Sequence, residues 1–122
     1  MPSDDSYDMG RLTTHVLDTA SGQPAAGVRV VLRRVGAAEV LADAKTNADG
    51  RLDRPLLEGA DFKIGRYQLE FHVGNYFRAR GVALAEPPFL DVVPLQFSVA
   101  EDAHYHVPLL VSPYGYSTYR GS

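Results

Sequence analysis

The stretch RYQLEFHV, residues 66–73, alternates polar and apolar side chains without a break. Side chains along a strand point to opposite faces in turn. Tyr67, Leu69, Phe71 and Val73 therefore share one face, and Arg66, Gln68, Glu70 and His72 share the other. Such a segment is a strand with one dry and one wet face. Reading outward, NYFRARG at 75–81 loses the alternation and fits one or two helical turns ended by Gly81 at the C′ position. EPP at 86–88 imposes an extended or turn conformation. Residues 89–99 form the next strand, where Pro94 marks an edge position or a bulge. HYHVPLLVS at 104–112 alternates again, with Tyr105, Val107, Leu109 and Val111 on one face. A turn at 113–115 leads to a last strand, YSTYR at 116–120.

Upstream of the decisive stretch the pattern repeats. RLTTHVLD at 11–18 and VRVVLRRV at 28–35 read as strands, separated by the loop TASGQPAAG at 19–27. EVLADAKT at 39–46 is a weaker strand, and NADG at 47–50 is a turn of residues that tolerate a tight reversal. The total is seven or eight strands, at most one short helix, and no internal repeat. An all-β, two-sheet β-sandwich is the natural architecture. One domain is expected over 11–122, preceded by a flexible tail at 1–10.

Composition narrows the function classes. With 122 residues and 45% hydrophobic content the chain suits one packed core. A net charge of −3 with no like-charge block gives no nucleic-acid footprint. There is no cysteine, so no disulfide, thiolate metal site or thiol nucleophile is available. MPSDDSYDMG at the start has neither the basic nor the apolar region of a signal peptide, and no apolar run nears the ~20 residues of a membrane helix. A cytoplasmic protein is expected.

Single residues say little about chemistry. His15 on an amphipathic strand reads as a half-exposed strand histidine, and Arg51 after a turn reads as a solvated surface charge. His104 and His106 share a face, and an H-x-H pair can be half of a zinc site, with further ligands from His15, His72 or a carboxylate. Tyr116 and Tyr119 can serve packing.

Four separated segments, taken in order, carry more. LTTHVLDTASGQPAAGVRV at 12–30, TNADGRL at 46–52, GRYQLEFHVGNYF at 65–77 and HYHVPLLVSPYGYSTYRGS at 104–122 resemble the transthyretin-like family over nearly the whole chain. That family holds hormone carriers and hydrolases of 5-hydroxyisourate. The hydrolase class has a His on the first strand, an Arg after a turn Gly, a His on the penultimate strand and a terminal Tyr-Arg-Gly-Ser. His15, Arg51, His106 and Tyr119-Arg120-Gly121-Ser122 match these positions. The resemblance implies a transthyretin-like sandwich of two four-stranded sheets with one short helix. It also implies a homotetramer with active sites at the dimer–dimer interface, and hydrolysis of 5-hydroxyisourate to 2-oxo-4-hydroxy-4-carboxy-5-ureidoimidazoline.

That reaction needs a base for water near neutral pH and a cation for the anionic substrate and oxyanion. Histidine and arginine supply them, and neither a metal nor another cofactor is called for. His106 leads as the activator of water, while His15 shares that task or binds substrate. Arg51 neutralises the anion, and His104 supports His106. Tyr119, Arg120, Gly121 and Ser122 bind substrate; alternatively Arg120 holds the last strand in place, and the Ser122 carboxylate orients a neighbour. An ordinary imidazole as base implies loss of activity below about pH 6. Two other readings use the same architecture: a carrier without turnover, and a sugar-binding sandwich with an exposed tyrosine platform.

Overall fold

The alternation at 66–73 is realised in the computed structural model, which describes residues 10–121. In chain order the strands are β1 (Arg11–Thr13), β2 (Val16–Asp18), β3 (Gln23–Pro24), β4 (Arg29–Arg34), β5 (Val40–Lys45), β6 (Leu57–Glu58), β7 (Gly65–His72), β8 (Val92–Val99), β9 (His104–His106), β10 (Leu109–Ser112) and β11 (Gly115–Thr118). A short 3-10 turn spans Gly59–Asp61, and helix α1 spans Val73–Ala79.

One layer is the antiparallel sheet β5-β4-β7-β8. Leu32 pairs with Leu69, and Leu69 with Leu95, so three leucines cross the sheet in one row. Tyr67, Leu69 and Phe71 are fully buried, as their alternation requires. Pro94 lies on β8 at the sheet edge, where a missing N–H is tolerated.

The second layer consists of β6-β1-β9 and β11-β10-β2-β3. These are one continuous surface. Thr13 pairs with His106 and Val16 with Leu109, both parallel and in the same register. The Val107 and Leu109 amides donate to the Thr13 and His15 carbonyls, each at 2.9 Å. The C-terminal hairpin is also in a single register, from Ser112–Gly115 through Leu109–Thr118 to an isolated bridge between His106 and Gly121. It loses its ladder at Pro108, which has no amide to give to Tyr119. Thr118 Oγ1 instead donates to the Pro108 carbonyl at 2.7 Å. This explains why eleven short strands stand among the described residues where seven or eight were expected. Two long strands are interrupted, at Thr14-His15 and at Val107-Pro108, and the two-residue strands β3 and β6 carry no alternation to read.

Between the layers lies one core. Leu12, Val16, Tyr105, Val107, Leu109 and Val111 of the second layer meet the inward residues of the first. Helix α1 starts two residues earlier than expected and adds Val73, Tyr76 and Phe77. Gly81, at φ +78°, ends it in the left-handed conformation expected of the C′ glycine. Residues 1–9 and Ser122 lie outside the described residues. Gly10 is buried, and its amide donates to Asp102 at 2.5 Å.

Tyr76 ties α1 to the second layer by donating to Oδ2 of buried Asp18 at 2.8 Å. Burial pushes the Asp18 carboxyl up, but hydrogen bonds from Tyr76, Ser21 and Ala20 outweigh it and hold the group below its ordinary value. The Tyr76 hydroxyl is raised to about 12, by burial first and then by Asp18. Tyr76→Phe is expected to lower stability by about 1.5–3 kcal/mol, the worth of a hydrogen bond to a charged group. Because the folded carboxyl is depressed, this contribution is present above the ordinary carboxylate range and is lost as pH falls through the folded value. Urea titrations at neutral and acidic pH check both the size and the trend.

Candidate active site

Alternation along β1 and β9 sends Leu12, Thr14 and Tyr105 inward and leaves Thr13, His15, His104 and His106 on the outer face. Parallel pairing sets Thr13 beside His106 and Arg11 beside His104. His15 follows at the interruption of the strand, where an antiparallel bridge holds it against Arg51.

The turn at 47–50 fixes that bridge. Asn47 Oδ1 accepts the amides of Asp49 at 2.9 Å and Arg51 at 3.2 Å, and Asn47 Nδ2 donates to Asp53 at 2.9 Å. Gly50 sits at φ +74°, and its carbonyl accepts the Val16 amide at 2.8 Å. A Cβ at Gly50 would fall 2.5 Å from the Val16 carbonyl oxygen, so only glycine lets the turn close onto β2.

The histidines are linked. His15 Nδ1 lies 2.6 Å from His106 Nε2, with the rings stacked at 4.8 Å between centroids. His106 Nδ1 lies 2.7 Å from Thr13 Oγ1, which is also 3.1 Å from His104 Nε2. Both nitrogens of His106 are thus engaged. Among the described residues Nε2 of His15 has no hydrogen-bond partner. Burial depresses the His106 imidazole to about 4, aided by the charges of His15, Arg51 and His104. Burial and then Arg51 lower His15, and burial followed by Arg11 and Arg120 lowers His104. All three rings are held toward the neutral form, in which an imidazole can accept a proton.

These residues line an open cleft of about 600 Å³, where Arg11, Arg51 and Arg54 are set against one acid among the described residues, Asp53. The cleft therefore suits a small anion. Among the described residues no group of three or more His, Asp or Glu is placed to hold a metal ion.

The family model described as HIUase/Transthyretin family matches residues 12–121. The chain belongs to this family. The 5-hydroxyisourate hydrolase 2 of Rhizobium meliloti (strain 1021) is 60% identical over 116 residues, which cover 93% of this chain and 97% of that protein. The structure of Klebsiella pneumoniae 5-hydroxyisourate hydrolase superimposes with a TM-score of 0.78 at 39% identity, covering 93% of this chain and 99% of that one. The crystal structure of (S)-allantoin synthase gives a TM-score of 0.89 at 46% identity, covering 96% of this chain but only 45% of that one. The transthyretin-like sandwich expected from the sequence is the fold of this chain.

Within this member of the HIUase/transthyretin family, His15, Arg51, His104, His106, Tyr119 and Gly121 gather around one cleft. Gly121 packs on His106, where a Cβ would meet the ring and the His106 Cβ at 3.3 Å. Arg120 goes elsewhere. It stands opposite Val107 in the hairpin register and so turns to the inward face. Its guanidinium lies 4.0 Å above the Tyr105 ring and donates to the His104 carbonyl at 3.2 Å. In this chain Arg120 braces β9 from behind. Ser122 lies outside the described residues. Thr13, which joins two histidines, carries no mark in the sequence beyond sharing a face with His15. Among the described residues no helix is long and apolar enough to cross a membrane.

Proposed function

We propose that His15 is the base that activates water in the hydrolysis of 5-hydroxyisourate, the reaction this chain catalyses. The observation that carries the assignment is the hydrogen-bond pattern: His106 has both nitrogens engaged, while Nε2 of His15 has no partner among the described residues. Water gives a proton to His15 Nε2 as its oxygen bonds to a ring carbonyl carbon of the substrate. The carbonyl becomes an oxyanion, which Arg51 stabilises together with the substrate's own charge. The tetrahedral centre collapses, the ring C–N bond breaks, and the leaving nitrogen takes the proton back from His15. The product is an open carboxylate. His106 orients His15 and shares the positive charge that arrives, as the third group of a hydrolytic triad does. Tyr119 and Gly121 line the cleft and bound the substrate.

The test follows the decay of 5-hydroxyisourate absorbance, with the compound freshly generated from urate by urate oxidase. Decay well above the spontaneous rate supports the reading. A folded protein that adds nothing to that rate refutes it.

A carrier without turnover is the alternative. The His15–His106 pair and three arginines around the cleft fit a hydrogen-bonding anion better than an apolar ligand.

We further propose that four chains assemble with these clefts at the interface between dimers. The cleft lies on the outer face of its sheet and is open to solvent, although charge stabilisation at the oxyanion is strongest in a site shielded from bulk water. Tyr114, Tyr116 and Tyr119 stand exposed along and beyond the edge strand β11, as residues that a partner covers do. Sedimentation on dilution is expected to show mass and activity falling together; a fully active monomer would overturn the assembly. The lack of cysteine suits the cytoplasm, where we place the protein.

A further inference from the structure

Within the hydrolase reading above, we propose that Thr13 is a positioning residue that sets the tautomer of His106 and so keeps His15 able to accept a proton. The geometry is a chain of four groups: His15, His106, Thr13 and His104. Its contacts are 2.6 Å, 2.7 Å and 3.1 Å. Each contact holds one proton, so the chain has a single direction at any moment. A neutral imidazole has one N–H and one lone pair, and a hydroxyl has one proton to give.

Only one direction leaves a base in the cleft. His15 Nε2 is bare if His15 carries its proton on Nδ1 and donates it to His106 Nε2. His106 must then carry its own proton on Nδ1 and donate it to Thr13 Oγ1. Thr13 in turn donates to a bare Nε2 on His104. In the reverse direction His106 donates from Nε2, His15 is forced to hold its proton on Nε2, and nothing can receive the proton of water. Which ring nitrogen of a histidine is protonated is set by the hydrogen bond the other one makes. Neutral imidazole side chains ordinarily favour Nε2–H, so His106 needs an acceptor at Nδ1 to hold the other form. Thr13 Oγ1 is that acceptor. It is fixed in place because the Thr13 carbonyl accepts the Val107 amide at 2.9 Å and the residue pairs in register with His106. The hydroxyl's hydrogen-bond partners are both imidazoles, so it acts on the reaction through His106.

Thr13→Val keeps the shape and the strand preference of the side chain and removes only the hydroxyl. Thr13→Ser keeps the hydroxyl. Nitrogen-15 NMR of histidine-labelled protein at neutral pH is expected to show His106 protonated at Nδ1 in the wild type and in Thr13→Ser, and at Nε2 in Thr13→Val. With 5-hydroxyisourate, Thr13→Val is expected to lose about 100-fold in kcat with KM little changed, the low end of what a positioned base supplies. Thr13→Ser is expected to restore most of the rate. A wild-type His106 protonated at Nε2 overturns the proposal. So does a Thr13→Val variant with unchanged tautomer and rate, or a Thr13→Ser variant as slow as Thr13→Val. A wild type without hydrolysis would refute the hydrolase reading instead, and the nitrogen shifts would still decide whether Thr13 sets the His106 tautomer.

Discussion

His15→Ala is expected to lower kcat by about 1,000-fold, within the range that a positioned general base contributes. The loss should fall on kcat, because the open nitrogen meets water rather than the substrate's charge. His15 contributes its carbonyl to the Leu109 amide through the backbone, so the β2–β10 ladder survives the substitution. The melting temperature is expected to stay close to that of the wild type. His106→Ala should be nearly as severe, since it leaves His15 Nδ1 without its 2.6 Å partner. The double variant is then expected to be little slower than His15→Ala alone, as for residues that act as one unit. Stopped-flow decay of 5-hydroxyisourate for the three variants checks this. If the single losses multiply instead, the two histidines work independently and the shared assignment fails.

How much of this site was legible in the sequence depends on what kind of contact each residue makes. The period-two pattern at 66–73 places Tyr67, Leu69 and Phe71 in the core because burial there depends on local alternation alone. His15, Arg51 and His106 come from the family resemblance, and the fold does bring them together. Arg51 shows why no local rule could find it. Its place beside His15 depends on a bridge between a turn and a strand more than thirty residues away, and that bridge closes only because Gly50 approaches Val16. Thr13 depends on the parallel pairing of β1 with β9, whose residues lie some ninety positions apart, and strand pairing is not written in either strand. Arg120 is the converse. It sits between two residues that line the cleft, and alternation alone turns it to the opposite face, onto Tyr105. Pro108 hides the continuity of the last hairpin for a chemical reason, the lack of one amide proton, while the register on either side of it is unbroken.

Arg51→Glu tests the electrostatics of the site from both sides. In the wild type the Arg51 charge adds to burial in depressing His15 and His106, the latter to about 4. A base must be neutral, so activity is present while pH stays above the folded value and is lost as pH falls through it. The acid limb of the wild-type profile is therefore expected below the pH 6 that an ordinary imidazole would give. Exchanging the guanidinium for a carboxylate removes a cation from the developing oxyanion and sets an anion in its place. Loss of a single oxyanion donor costs about 100- to 1,000-fold in kcat, and charge reversal is expected to reach the upper end. KM should rise as well, because the substrate is an anion. The same carboxylate favours the protonated imidazole, so the residual activity is expected to lose its acid limb at higher pH than the wild type does. Arg51→Lys keeps the charge but not the planar fork. It should retain the low acid limb while losing part of kcat. The pH dependence of kcat for the three proteins decides the matter. An acid limb that stays in place between the wild type and Arg51→Glu would mean that the guanidinium is not coupled to the base. The rate loss would then belong to the oxyanion and to substrate binding, not to the base.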